Sequence, residues 1–140
     1  MKLKIAREEV WAASMEDKPG QLAQKLDSLA QAGVNLGFII ARRAPEKPGT
    51  GVVFVTPIRG PRQTKAAQQA GFKKTNTLHS VCLAAPDRPG LGARLTGHLA
   101  QAGINLRGFS GASIGKNAVF HMAFTTAAAA GKAIRCLKKF

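Results

Sequence analysis

The chain has 140 residues, with 21 Lys or Arg against seven Asp or Glu, a formal charge of +14 and a hydrophobic share of 45%. That length suits one ordinary domain or two very small ones, and that apolar content excludes wholesale disorder. No apolar run approaches the ~18 residues needed to cross a bilayer, and the opening Met1-Lys-Leu-Lys-Ile-Ala-Arg-Glu-Glu has no apolar signal core, so a cytoplasmic protein with no membrane partner is expected.

In chain order, Met1–Ile5 alternates crudely between polar and apolar residues, and Glu9–Met15 reads as a strand around Val10 and Trp11. Asp17-Lys-Pro-Gly follows, with Pro19 suited to the first helical position, where its missing N–H costs nothing. Leu22, Leu26, Leu29 and Ala30 recur at helical spacing, and Gly33 suits a helix stop. Asn35–Arg42 and Gly51–Thr56 are β-rich and flank the turn-rich Pro45-Glu-Lys-Pro-Gly-Thr; a short helix over Gln63–Ala70 and a last strand over Phe72–Thr75 complete a βαββαβ order. The second half repeats it with a strand at His79–Ala84, a helix near Pro89–Ala102, strands at Asn105–Ser113 and Ala118–Thr125, and a helix at Ala127–Lys138. Nothing after that helix supplies a fourth strand, so the last strand of this copy is missing or replaced, and Met1–Ile5 is expected to fill the vacant edge. The predicted domains are residues 1–77, with residues 1–8 as an extra N-terminal segment, and residues 78–140.

A duplication underlies this order. DKPGQLAQKLDSLAQAGVNL at 17–36 aligns without a gap on DRPGLGARLTGHLAQAGINL at 87–106, an offset of 70 with 11 of 20 positions identical. The expected fold class is therefore α+β, two tandem ferredoxin-like βαββαβ domains with antiparallel sheets and helices on one face.

A strand running into Asp-Lys/Arg-Pro-Gly, then a helix ending Ala-Gly-Val/Ile-Asn-Leu, twice at matched spacing, resembles the ACT-domain family of amino-acid-binding regulatory modules. The chain looks like a stand-alone tandem ACT-domain protein. The resemblance implies a regulatory sensor with an amino acid or similar small metabolite as ligand, read by an enzyme, transporter or regulator that the sequence does not name; a homodimer is expected because sheet edges invite pairing. It places the ligand between modules, where the loop before the first helix of one meets the start of the second strand of its neighbour. Carried over, the binding positions are Asp17, Lys18, Pro19, Gly20, Gln21 and Leu22 with Asn35 and Leu36, and Asp87, Arg88, Pro89, Gly90, Leu91 and Gly92 with Asn105 and Leu106.

Those residue types suit the task. A helix start offers unpaired N–H groups and a positive dipole end to a carboxylate. The Asn35 and Asn105 amides donate and accept at once, and Asp17 and Asp87 are candidates to pair with an ammonium. Each also has a plain structural explanation: Asp as an ordinary N-cap, Asn as a residue that tolerates a turn. The copies differ where Leu22 becomes Gly92, which either removes a core contact or makes room for a ligand.

No catalytic, metal or cofactor site is expected. Cys82 and Cys136 match no metal or redox spacing, and His79, His98 and His121 combine with neither the thiols nor the carboxylates in a recognisable pattern. Ser110-Gly-Ala-Ser-Ile-Gly lacks a phosphate-loop Lys-Ser/Thr and reads as a turn. Two alternatives stay open. One is a basic RNA-binding βαββαβ module, since Gly51-Val-Val-Phe54-Val55 is similar to an RNP1 run and Trp11 lies on the first strand; the scattered basic residues, the missing paired aromatics and the absence of tyrosine argue against it. The other is a ligand-free oligomerisation module, which exposed sheet edges would serve.

Overall fold

The computed structural model describes residues 2–140, and the chain divides into two compact units. The first, Glu9–Thr75, holds β2 (Trp11–Glu16), α1 (Gln21–Ala30), β3 (Phe38–Arg43), β4 (Thr50–Thr56), α2 (Gly60–Gln69) and β5 (Lys73–Lys74). Its antiparallel sheet runs β3-β4-β2-β5. The second joins the segment through Glu8, which carries β1 (Lys4–Glu8), to Asn76–Phe140, with β6 (His79–Pro86), α3 (Leu91–Gln101), β7 (Gly108–Ile114), β8 (Asn117–Phe124) and α4 (Ala127–Leu137). Its sheet order is β1-β6-β8-β7.

Period-two alternation sets the core of each unit. Trp11, Ala13, Val53 and Val55 turn one face of the first sheet onto Leu29, Ala67 and Phe72. Val81, Leu83, Ala85, Met122 and Phe124 do the same in the second, against Leu91, Leu95, Leu99, Ala130, Ala133 and Leu137. Trp11 therefore packs on the helix side of its sheet, 3% exposed, and gives an RNA-stacking surface nothing.

The vacant edge of the second sheet is filled. β1 lies antiparallel to β6 from Lys4↔Ala84 to Glu8↔Ser80, the position that β5 takes beside β2. Leu3 and Ile5 pack on the core below. Met1, the first residue of the expected strand, lies outside the described residues; the strand itself sits later, at Lys4–Glu8.

Three local expectations are corrected. Pro19 lies before the helix, because Gly20 occupies the cap at φ 88°, and the second copy repeats this with Gly90 at φ 77°. Asn35 and Asn105 stand in the loops ahead of β3 and β7, which begin three residues later at Phe38 and Gly108. Ser110–Ile114 is strand, and only Gly115-Lys116 turns the chain. Residues 110–114 pair continuously with β8 from Ser110↔His121 to Ile114↔Asn117, and a complete ladder outweighs the turn preference of Ser and Gly.

Candidate functional site

The Asp-x-Pro-Gly segment is a β-turn set on a helix start. In the first unit the Gln21 N–H donates to the Lys18 carbonyl at 3.3 Å, with Pro19 and Gly20 between them. Pro19 presets the first central φ, and Gly20 at φ 88°, ψ −14° supplies the left-handed second one, so the segment is a type II turn. Leu91 N–H to Arg88 carbonyl, 3.3 Å, closes the same turn around Pro89 and Gly90. Glycine is thus required, and proline favoured, by the backbone of each copy, whatever it binds.

The turn leaves the helix start open. Neither cap donates or accepts through a side chain, and neither first turn holds an acidic residue. The N–H groups of Leu22 and Ala23, and of Gly92 and Ala93, have no acceptor among the described residues. Asp17 does not cap the helix. Its carboxylate accepts from Arg43 Nε at 2.8 Å, and Lys18 pairs with Glu16 at 3.0 Å. Asp87 and Arg88 have no ion pair among the described residues. The two turns share a backbone and differ in electrostatics.

The remaining positions divide by burial. Pro19, Gly20, Pro89 and Gly90 are exposed, as are Asn35 and Asn105, whose amides have no partner among the described residues. Leu22 and Leu36 pack partly on the first core, Leu106 packs partly on the second, and Leu91 is 2% exposed within it. Gln21 is half-buried. Leu91 thus offers a ligand no donor at the helix start, its side chain being buried and its N–H closing the turn.

The structure does not bring turn and asparagine together within one module. Glu16, just before the first turn, pairs with Thr50, whereas Gly37, two residues after Asn35, donates to the Thr56 carbonyl at the far end of β4. Likewise Asp87 N–H donates to the Lys116 carbonyl at one end of β8, and Arg107 N–H to the Ala123 carbonyl at the other. A ligand touching both elements needs two modules.

Gly92 faces the ring of Phe120, which leaves room for a methyl there but restricts anything larger. Strand register matches Ala41↔Val53 in the first unit with Gly111↔Phe120 in the second. The Phe120 ring stacks on Phe109 at 5.4 Å, and a Cβ on Gly111 would lie 2.6 Å from it. A Cβ on Gly92 would meet the same ring at 3.6 Å. By register Phe120 stands where Val53 stands in the first unit, and the two glycines that approach its ring, Gly92 and Gly111, replace Leu22 and Ala41.

Spacing along the chain missed one constellation. Glu8, Cys82 and His121, on three adjacent strands, place a carboxylate oxygen, a thiol and an imidazole nitrogen within 4.8 Å of one another. Their separation in sequence leaves no motif; the only advance sign was that Cys82 and His121 both fall on predicted strands.

Neither a protein-family model nor a curated protein matches the sequence. Solved structures do resemble it. A Bacteroides thetaiotaomicron protein matches with a TM-score of 0.77 and 18% identity, over 98% of this chain and 89% of that one. The ligand-free regulatory subunit of aspartate kinase from Thermus thermophilus matches at 0.65 and 16%, over 98% and 95%. Aspartokinase alpha and beta subunits match at 0.60 and 16%, over 99% and 98%. The chain has the tandem ACT fold. The ACT fold is α+β, here four helices and two four-stranded antiparallel sheets. No helix among the described residues is long and apolar enough to cross a membrane.

Proposed function

We propose that this chain is a regulatory protein that binds an amino acid or closely similar metabolite at its Asp-x-Pro-Gly turns and acts on a partner enzyme instead of catalysing a step itself. The observation that carries the reading is the open helix start in both copies, two unpartnered N–H groups behind a type II turn. An α-carboxylate suits such a start, and Asp87 is free to take the ammonium. The likeness in fold to regulatory subunits of aspartate kinase supports a regulatory role and an enzyme partner.

The second half of the site comes from a neighbouring module. β3 and β7 are edge strands, with Ile39 and Ile40 exposed on one and Phe109 and Ile114 on the other, and such edges invite pairing. Antiparallel pairing of β3 with its equivalent in a second copy sets the start of one strand beside the end of the other. Asn35 then approaches the end where Arg43 reaches the turn aspartate. The proposed unit is a cytoplasmic homodimer, and ligand binding favours one arrangement of its modules by its differential affinity.

Each of the twenty amino acids is added to the full chain in a thermal melt. One amino acid is expected to raise Tm saturably, with about 2.7 kcal/mol of stabilisation at a hundred times Kd. Asn35→Ala and Asn105→Ala together should remove most of that rise without lowering the unliganded Tm, since both amides are exposed. A flat response to all twenty sinks the reading.

A second reading rests on the groove between α3 and α4, about 670 Å³ and lined by His98, Lys132, Arg135, Lys138 and Lys139 with no carboxylate among its lining residues. It suits a polyanion. Salt-sensitive binding of RNA or DNA at physiological ionic strength, without an amino-acid response, would favour it.

A further inference from the structure

We propose that Glu8, Cys82 and His121 form a binding site for one divalent transition-metal ion of the zinc class, which staples the N-terminal strand to the second unit. The site lies on the sheet face opposite the helices. Along β6 the core takes Val81, Leu83 and Ala85, so Ser80 and Cys82 point to the other side. Met122 and Phe124 face the core of β8, so His121 points with Cys82, its direct cross-strand neighbour. Ile5 faces the core of β1, so Glu8 points the same way, opposite Ser80 and diagonal to Cys82. Three strands converge on one point, from sequence positions as far apart as 8 and 121.

The donor set determines the class of ion. A thiolate, an imidazole and a carboxylate together suit zinc, cobalt or nickel, and a thiolate works against magnesium or calcium. Two ligand atoms on a tetrahedral ion sit roughly 3.3–3.8 Å apart, given metal–ligand distances of about 2.0–2.3 Å. The three donors lie within 4.8 Å, so small χ rotations close the remaining gap. Glu8 is already held: its carboxylate accepts from Ser80 Oγ at 3.1 Å and lies 2.9 Å from His121 Nδ1. Ser80 is 4% exposed, and the side chains of Glu8 and His121 are 15% and 12% exposed. Charge also balances. A dication with one thiolate, one carboxylate and a neutral imidazole is a neutral site, as a half-buried position requires. Three protein ligands leave a fourth position for water or a small ligand.

Burial pushes the Cys82 thiol up to about 11, and the Glu8 carboxylate beside it adds to the rise. Binding forms the metal–sulfur bond and displaces the thiol proton to buffer.

The full chain, stripped with a chelator and titrated with Co2+ under reducing conditions, tests the site. One equivalent is expected to develop thiolate-to-cobalt charge-transfer absorption together with the ligand-field bands of a four-coordinate ion, and zinc should abolish both. Cys136→Ser should retain the signal, Cys82→Ser should lose it, and Ser80→Ala, which removes only the hydroxyl bonded to Glu8, should weaken affinity by about tenfold or more. Should Cys82→Ser fail to fold, Cys136→Ser still decides, because Cys82 is then the only thiol. No charge-transfer band in that chain overturns the proposal, and so does a band that survives Cys82→Ser.

Discussion

The two modules share a backbone device and solve their packing differently. Both build the same type II turn onto an uncapped helix, and both hold an exposed asparagine at the far end of the sheet. Away from those elements they diverge. The first fills one layer with Leu22, Ala41 and Val53, the second with Gly92, Gly111 and Phe120. The first closes its sheet with the two-residue β5 from its own end, the second with the five-residue β1 from the far end of the chain. Conservation between copies thus follows backbone geometry at the turn, where the positive φ calls for glycine, whereas volume can be redistributed among neighbours in the core.

The largest expected effect separates the copies by their fourth strands. Deleting residues 2–7 removes Leu3 and Ile5 from the second core and most of the ladder to β6. The second unit should lose about 3 kcal/mol or more, on the scale of losing a buried aliphatic side chain together with its edge pairing. Trp11, the chain's only tryptophan, sits in the first core and reports on that unit alone. In urea, the circular-dichroism transition should split, with the Trp11 fluorescence midpoint staying near its original value. One unchanged, coincident transition would mean that β1 contributes nothing to the second unit.

A smaller effect tests the exchanged layer. Gly111→Ala drives a methyl into the Phe120 ring, which is braced by Phe109. Such overpacking costs about 1–3 kcal/mol. Phe120→Val alone should also destabilise, and the double change Gly111→Ala with Phe120→Val should recover most of both losses when Leu is placed at Gly92, rebuilding the first module's arrangement. The reverse change Ala41→Gly, at an exposed edge position, should cost less than about 1 kcal/mol. Additive losses in the combined variant would show that the three positions do not share one volume.

Much of this fold was legible because its signals are local. The Asp-x-Pro-Gly turn, the leucine periodicity of Leu91, Leu95 and Leu99, and the repeat itself need only neighbours in sequence. The missing fourth strand pointed to the N-terminus by elimination. What escaped was non-local. From sequence, Gly92 either makes room for a ligand or loses a contact; the Phe120 ring it faces lies on another strand and is no neighbour in sequence. Glu8, Cys82 and His121 form no motif because a sheet assembles them from three separate segments. The turn signal is itself ambiguous: Pro19 suits a helix start, yet it equally presets a type II turn, and Gly20 decides for the turn.

The smallest expected effect lies in the electrostatics of the two turns. Asp17 is paired to Arg43, and the equivalent Asp87 has no ion pair among the described residues. With the Arg43 and Asp17 side chains 85% and 41% exposed, the pair is worth well under 1 kcal/mol. Arg43→Ala should leave stability within about 0.5 kcal/mol of the parent in urea. If the aspartate takes a ligand ammonium, freeing it should tighten binding at the first turn by at most about fivefold, the equivalent of 1 kcal/mol. Titration calorimetry on Arg43→Ala in an Asn105→Ala background, which isolates the site fed by Asn35, reads that change directly. A gain of a few-fold makes the Arg43 pair the reason the two sites differ. An unchanged or weaker affinity instead makes Arg43 neutral or a contributor to the site, with the carboxylate and not the ammonium as the end of the ligand it faces.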